Sequence, residues 1–88
     1  MEAVFDWEEF KRKAILKTTT VLIELENENV IHDWTVKDNY WSAWYDVNPD
    51  NQFLLEGNCL ETTKDTVLKQ IEEVEEDYRK DLAWRIGE

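Results

Sequence analysis

The clearest structural pattern of this chain lies in residues 40–56, which read YWSAWYDVNPDNQFLLE. Residues 40–47 alternate between two sides, and one side collects Trp41, Ala43, Tyr45 and Val47. This period of two is typical of a strand. Asn48 and Pro49 then suit the first two positions of a type I turn. Because the alternation resumes at Phe53 and Leu55, the stretch predicts an antiparallel hairpin.

Two further strands are predicted upstream of the hairpin. Residues 30–37 alternate, and Asp38-Asn39 is a turn signal directly before residue 40. Residues 18–26 also alternate, with Val21, Ile23 and Leu25 in one register, and residues 26–29 provide turn residues after them. Short connections between successive strands favour a meander, so we expect a four-stranded antiparallel meander sheet.

An N-terminal helix is predicted from Trp7 to Leu16. Asp6 can cap it with Glu9 three residues later, and Phe5 with Phe10 forms a hydrophobic staple. The basic residues near its end are Lys11, Arg12, Lys13 and Lys17. They are expected to interact favourably with the helix macrodipole.

A C-terminal helix is predicted after Thr62 and Thr63. One apolar stripe runs along it and consists of Val67, Ile71, Val74, Tyr78 and Leu82. Glu75 with Arg79 and Glu76 with Lys80 are i,i+4 pairs of favourable orientation. Gly87 is the expected stop. The predicted architecture is α-β-β-β-β-α, a single acidic α+β domain over residues 1–88 with both helices on one sheet face.

Charge limits the partners of the chain. The net charge is −11, and residues 18–60 contribute eight acids against one base. Binding to nucleic acid needs clustered Lys and Arg, so we expect neither direct nucleic-acid binding nor attachment to anionic membranes. Basic proteins, in contrast, are attracted. The chain has one cysteine, its longest apolar run is too short to span a bilayer, and its N-terminus has no basic n-region of a signal peptide. We therefore expect a cytoplasmic protein.

The residues that usually perform catalysis are sparse. His32 is interpreted as half-buried on the apolar side of its strand, and Cys59 as a small core residue without an activating partner. Residues 46–51 match the beginning of an EF-hand loop but lack its turn glycine, so a hairpin turn is the better interpretation. We expect no enzymatic activity, no cofactor and no metal site.

The candidate site residues are predicted to bind a partner protein. A negative patch on the exposed sheet face is predicted from Glu24, Glu26, Asp33, Asp46 and Glu56, with Trp44 and Tyr40 as aromatic anchors. A second acidic stripe on the C-terminal helix comprises Glu72, Glu73 and Glu76.

In composition the chain is similar to small acidic inhibitors and immunity proteins, including phage-encoded proteins that mimic nucleic acid. The similarity rests on no specific motif and transfers no residues. It favours a non-enzymatic modulator that occupies the basic site of a partner, such as a nucleic-acid-binding enzyme. The alternative is a structural or assembly module that forms a homodimer through its apolar sheet face.

Overall fold

The fold is α+β, with an N-terminal helix, a three-stranded antiparallel meander and a C-terminal helix. The computed structural model describes residues 6–86, and the side chains of residues 6–85. Its elements are α1 (Trp7–Asn27), β1 (His32–Lys37), β2 (Tyr40–Asn48), β3 (Asn51–Asn58) and α2 (Lys64–Ile86), with a short 3-10 turn at Cys59–Glu61. Phe5, the predicted staple residue, and Gly87, the predicted stop, lie outside the described residues.

The predicted strand over residues 18–26 is wrong, because this segment is the second half of α1. Its buried residues are Thr18, Val21, Leu22 and Leu25. Their spacing of three, one and three places them on one side of a helix. The hydroxyls of Thr19 and Thr20 donate to the carbonyls four residues earlier, at 2.8 and 2.9 Å. The sheet therefore has three strands, and Glu24 and Glu26 lie on a helix.

The cap at the beginning of α1 is confirmed, whereas the predicted end is wrong. The Asp6 carboxylate accepts a hydrogen bond from the backbone N–H of Glu9 at 3.1 Å. Since the helix continues to Asn27, its basic residues lie in its interior, and its last turn contains none. The expected favourable interaction of these bases with the C-terminal end of the macrodipole is therefore absent from this helix.

The two hairpins form as the turn signals predict. β2 pairs with β1 and β3, both antiparallel, around turns at residues 38–39 and 49–50. The Asn48 side chain organises the second turn, because its oxygen accepts from the backbone N–H of Asp50 at 2.9 Å. Its nitrogen donates to the Tyr78 hydroxyl at 2.9 Å. The EF-hand-like sequence is thus a hairpin turn that is joined to α2.

The core lies between the two helices and one face of the sheet, which we call the inner sheet face. Trp41, Ala43 and Leu55 of the sheet are at most 3% exposed. They form a cluster with Val21, Leu22, Leu25, Ile31, Cys59, Val67 and Ile71. Burying a Leu or Val side chain fully contributes about 1.5–3 kcal/mol, so this cluster dominates the stability of the fold.

Helix α2 is joined to the sheet by one of its glutamates. The Tyr45 hydroxyl donates a hydrogen bond to the Glu75 carboxylate, and burial together with this bond raises the pKa of Tyr45 to about 12. The predicted partner of the Glu75 carboxylate was Arg79. Instead, Nε of Arg79 donates a hydrogen bond to the backbone carbonyl of Glu75 at 3.4 Å. The predicted pair of Glu76 with Lys80 is confirmed at 3.2 Å.

The molecule is long and narrow, with extents of 68 × 23 × 18 Å. Its Cα radius of gyration is 16.5 Å, whereas a compact domain of this length has about 12 Å. At a rise of 1.5 Å per residue, α1 and α2 are about 32 and 35 Å long. Lys64 at the beginning of α2 lies 3.4 Å from Glu28 at the end of α1. Because the longest extent of the molecule is about the sum of the two helix lengths, the helices extend away from this contact in opposite directions. Leu82 is consequently 37% exposed, although it continues the predicted stripe.

Candidate protein-binding face

The strand register collects the side chains of one surface, which we call the outer sheet face. Residues that pair across antiparallel strands share a face. Four cross-strand rows result: Lys37, Tyr40 and Asn58; Thr35, Ser42 and Glu56; His32, Trp44 and Leu54; Asp46 and Gln52. Because both helices pack on the inner sheet face, the outer sheet face is open to solvent.

The centre of the outer sheet face is apolar. Trp44 is 37% exposed, and its cross-strand partner Leu54 is 47% exposed. Directly opposed side chains of this kind have Cβ atoms about 4.5–5.5 Å apart, so the two form one continuous apolar surface. Tyr40 is 55% exposed on the same face, two rows away beyond Ser42. Both predicted aromatic anchors thus lie on a single exposed surface.

His32 forms the corner of the outer sheet face, between two carboxylates. Its Nε2 lies 2.8 Å from Oδ1 of Asp46, and its Nδ1 lies 3.0 Å from Oδ2 of Asp33. The hydrogen bonds to Asp46 and, secondly, to Asp33 raise the pKa of His32 above its usual 6.5. Since carboxylates occupy both ring nitrogens, the ring has none left to activate a nucleophile.

A bulge in β1 explains why His32 faces outward, contrary to the sequence prediction. His32 pairs with Trp44, whereas Thr35 pairs with Ser42, so two residues of β1 oppose the single Ala43. Asp33 in the bulge has a φ of 49°, a left-handed conformation that Asp tolerates better than most residues. An extra residue reverses the alternation. His32 and Thr35 therefore share the outer sheet face, and Ile31 is buried.

Glu56 supplies the second carboxylate of this face, on the edge strand β3. The side-chain amide of Gln70 holds the Glu56 backbone through two hydrogen bonds. The Glu56 N–H donates to Oε1 of Gln70 at 3.0 Å, and Nε2 of Gln70 donates to the Glu56 carbonyl at 3.1 Å. The Glu56 carboxylate forms no ion pair among the described residues, so its charge is uncompensated locally. Asp46, in contrast, is paired with His32.

The structure divides the predicted site residues into three groups. Tyr40, Trp44, Asp46 and Glu56 share the outer sheet face, and Asp33 lies at its corner beside His32. Glu24 and Glu26 are exposed on α1, so their predicted place in the sheet-face patch is wrong. The acidic stripe of Glu72, Glu73 and Glu76 is exposed on α2.

Among the residues of this face that were not candidates, Leu54 and His32 bear directly on binding. Leu54 lies beside Trp44, and its position was available from the alternation of residues 53–56. His32 was assigned to the opposite face because the bulge has no clear sequence signal. Elsewhere, Cys59 is a buried free thiol, as expected. The residues that the structure describes contain no group of three or more potential metal ligands.

Comparisons of the chain with protein-family models, curated proteins and solved structures find no match. Among the described residues, no helix is long and apolar enough to cross a membrane.

Proposed function

We propose that this chain is a non-enzymatic, acidic modulator that binds the basic site of a partner protein through its outer sheet face. The observation that carries the proposal is the exposure of Trp44 beside Leu54, with carboxylates on the same face. Tryptophan and tyrosine are the residues that most often supply the binding energy of interfaces. An exposed apolar pair with a charged rim has the anatomy of such a contact surface.

Charge supports a basic partner. The chain carries −11, and Glu56, Asp46 and Asp33 lie around the apolar centre of the outer sheet face. Complementary charge accelerates encounter and fixes the register of a complex, while buried aromatic anchors supply most of its affinity. We therefore assign register and association rate to the carboxylates, and affinity to Trp44, Leu54 and Tyr40.

Among basic proteins, we propose enzymes that bind nucleic acid as the targets. Such a site carries clustered Lys and Arg for phosphate recognition. The stripe of Glu72, Glu73 and Glu76 on α2 presents a second row of charge, and the Cβ atoms of residues four apart on a helix are about 5–6 Å apart. Occupying the site would exclude the nucleic acid by steric and electrostatic competition. We propose an inhibitor of the phage or mobile-element type that acts in the cytoplasm.

The test is affinity capture from nuclease-treated lysate, at low salt and at about 0.5 M salt, where the Debye length is only a few Å. Wild type is compared with Trp44→Ala, Glu56→Lys and the control Trp84→Ala, whose side chain is 69% exposed on α2. We expect one basic protein at low salt, retained by the control and lost with the first two variants. Equal capture by Trp44→Ala and Trp84→Ala would exclude the outer sheet face as the binding surface.

The second candidate is an assembly module that forms homodimers through the same face. The exposed pair of Trp44 and Leu54 favours it, since an exposed apolar patch can pair with the same patch on a second copy. Salt separates the two functions. Association driven by charge weakens as salt rises, whereas an apolar self-association does not.

A further inference from the structure

Helix α1 has a second apolar stripe on the side that points away from the sheet. Leu16 is 63% exposed and Ile23 is 43% exposed. Thr20 lies between them, and its hydroxyl donates to the Leu16 carbonyl at 2.9 Å, which leaves its methyl group as the apolar part of the side chain. These three residues, which we call the outer α1 stripe, have spacings of four and three and so form one line along the helix.

The outer α1 stripe has the pattern of a short coiled-coil seam. Written as heptads, Leu16 and Ile23 occupy d positions, and Thr20 occupies the a position between them. The a position before the stripe is Lys13 and the one after it is Asn27, and both are exposed. The seam is therefore two apolar turns long, with polar residues at each end.

The first turn of α1 carries the favourable Glu8 and Glu9, but the charges that follow it are arranged against the helix macrodipole. Residues 11–17 contain four bases and no acid, whereas residues 24–28 contain three acids and no base. Carboxylates are unfavourable at a helix C-terminus, yet Glu24 and Glu26 occupy the end of α1. Within the chain, Lys64 offsets part of this charge, at 3.9 Å from Glu24 and 3.4 Å from Glu28. A basic segment from another helix would offset more of it.

We infer that two copies of this chain associate through their outer α1 stripes, with the two helices antiparallel about a two-fold axis near Thr20. Leu16 of each copy then packs against Ile23 of the other copy. The basic half of each helix lies along the acidic end of the other. The arrangement is isologous, as most homodimer interfaces are.

The flanking charges specify the antiparallel orientation. Lys17 and Glu24 occupy e positions on one flank, and Arg12 and Glu26 occupy g positions on the other. In an antiparallel pair each flank meets the same flank of the other copy, so Lys17 faces Glu24 and Arg12 faces Glu26. In a parallel pair each g position faces the e position five residues further along the other copy, which would place Arg12 against Lys17.

This dimer is independent of the function proposed for the outer sheet face. Helix α1 packs on the inner sheet face, so association through its far side leaves both outer sheet faces open. Each dimer would present two copies of that face to partners, which raises avidity where a partner offers two sites.

Sedimentation equilibrium over a concentration series tests the dimer. The double variant Leu16→Gln with Ile23→Gln keeps exposed, helix-compatible residues and is expected to raise the dimer dissociation constant at least tenfold. The matched control Leu54→Gln removes a leucine of the outer sheet face that is 47% exposed, and it should leave the constant unchanged. A monomeric wild type overturns the inference, as does a dimer that only Leu54→Gln dissociates.

The orientation is tested by charge exchange and by cross-linking. Lys17→Glu and Glu24→Lys should each weaken the dimer severalfold, and the double variant should restore it. Under mild oxidation, residue 20 of the Thr20→Cys variant should form a disulfide with the same residue of a second copy. Wild type, whose one cysteine is the buried Cys59, should not cross-link. Lys13→Cys and Asn27→Cys should cross-link when mixed and not separately. Failure of the double variant to recover, or self-cross-linking at Lys13→Cys, would overturn the antiparallel arrangement.

Discussion

Trp41 and Trp44 lie three residues apart on the same strand and have opposite environments. Trp41 is 3% exposed on the inner sheet face, and its indole N–H donates to the Thr62 hydroxyl at 2.7 Å. Trp44 is 37% exposed on the outer sheet face, beside Leu54. The first aromatic ring contributes to stability and the second leaves apolar area open. The difference indicates that the inner sheet face forms the core, whereas the outer sheet face leaves apolar area open to solvent.

The largest effect is expected from a matched pair of adjacent leucines on β3. Leu55 is fully buried on the inner sheet face, whereas Leu54 is 47% exposed on the outer sheet face. Leu55→Ala should lower the free energy of unfolding by about 2–5 kcal/mol, since it removes buried contacts and leaves a cavity. Leu54→Ala should change it by less than about 0.5 kcal/mol. Urea denaturation measures both, and equal losses would contradict the assignment of the two faces.

A smaller but specific loss is expected at Gly57, which lies across from Trp41. A Cβ at residue 57 would lie 2.9 Å from Nε1 and 3.2 Å from Cε2 of the Trp41 ring. Gly57→Ala must therefore displace a buried ring, at a cost of about 1–3 kcal/mol. Thermal or urea unfolding measures the cost. A variant as stable as wild type would show that Trp41 is less tightly packed than described.

The hydrogen bond of Trp41 supplies a third comparison. The Thr62 hydroxyl accepts from Trp41 and donates to the Asn58 carbonyl at 2.6 Å. Thr62→Val leaves the buried indole N–H without an acceptor and should cost about 1–3 kcal/mol. The control is Thr35→Val, because the Thr35 hydroxyl bonds Ser42 at 2.9 Å on the exposed outer sheet face. Its effect on urea unfolding should be within about 0.5 kcal/mol; the reverse order would refute this comparison.

The smallest expected effect is a pH dependence at the His32 corner. Because the folded-state pKa of His32 is raised, its pairing stabilises the fold fully below pH 6.5, and the stabilisation is lost as pH rises through the folded-state pKa. An NMR titration of His32 should give a midpoint above 6.5 in wild type. Asp46→Asn should lower the midpoint more than Asp33→Asn, since the Asp46 hydrogen bond is the larger cause. A midpoint that both variants leave unchanged would contradict the described pairing.

The same titration changes the charge of the outer sheet face. Deprotonated His32 no longer compensates Asp46 and Asp33, so the face becomes more negative as pH rises. Affinity for a basic partner should therefore increase through this pH range in wild type and increase less in Asp46→Asn.

Local pattern was enough to predict the hairpin of β2 and β3, the helix α2, and the shared face of Tyr40, Trp44, Asp46 and Glu56. In these segments only one period fits the apolar residues, and turn residues mark the ends. Residues 18–26 fit two periods. Val21, Ile23 and Leu25 alternate as in a strand, while Val21, Leu22 and Leu25 also follow a helix. Only packing against the inner sheet face decides between them, and that contact involves residues far along the chain.

Two further features depended on tertiary structure. The bulge at Asp33 reverses the alternation of β1, and a single residue in a left-handed conformation leaves no periodic signal. Leu82 continues the apolar stripe of α2, but the helix extends beyond the sheet that the stripe would cover. The site prediction failed for Glu24 and Glu26 because their predicted face depended on the strand over residues 18–26, which does not form.

The indole N–H signals of the tryptophans test most directly whether the outer sheet face binds a basic partner. The captured partner protein is titrated into labelled chain, and the signals of Trp44, Trp41 and Trp84 are followed by NMR. We expect the Trp44 signal to shift or broaden while the signals of buried Trp41 and distant Trp84 remain unchanged. Binding that leaves the Trp44 signal unchanged and moves the Trp84 signal would contradict binding through the outer sheet face and assign the contact to α2.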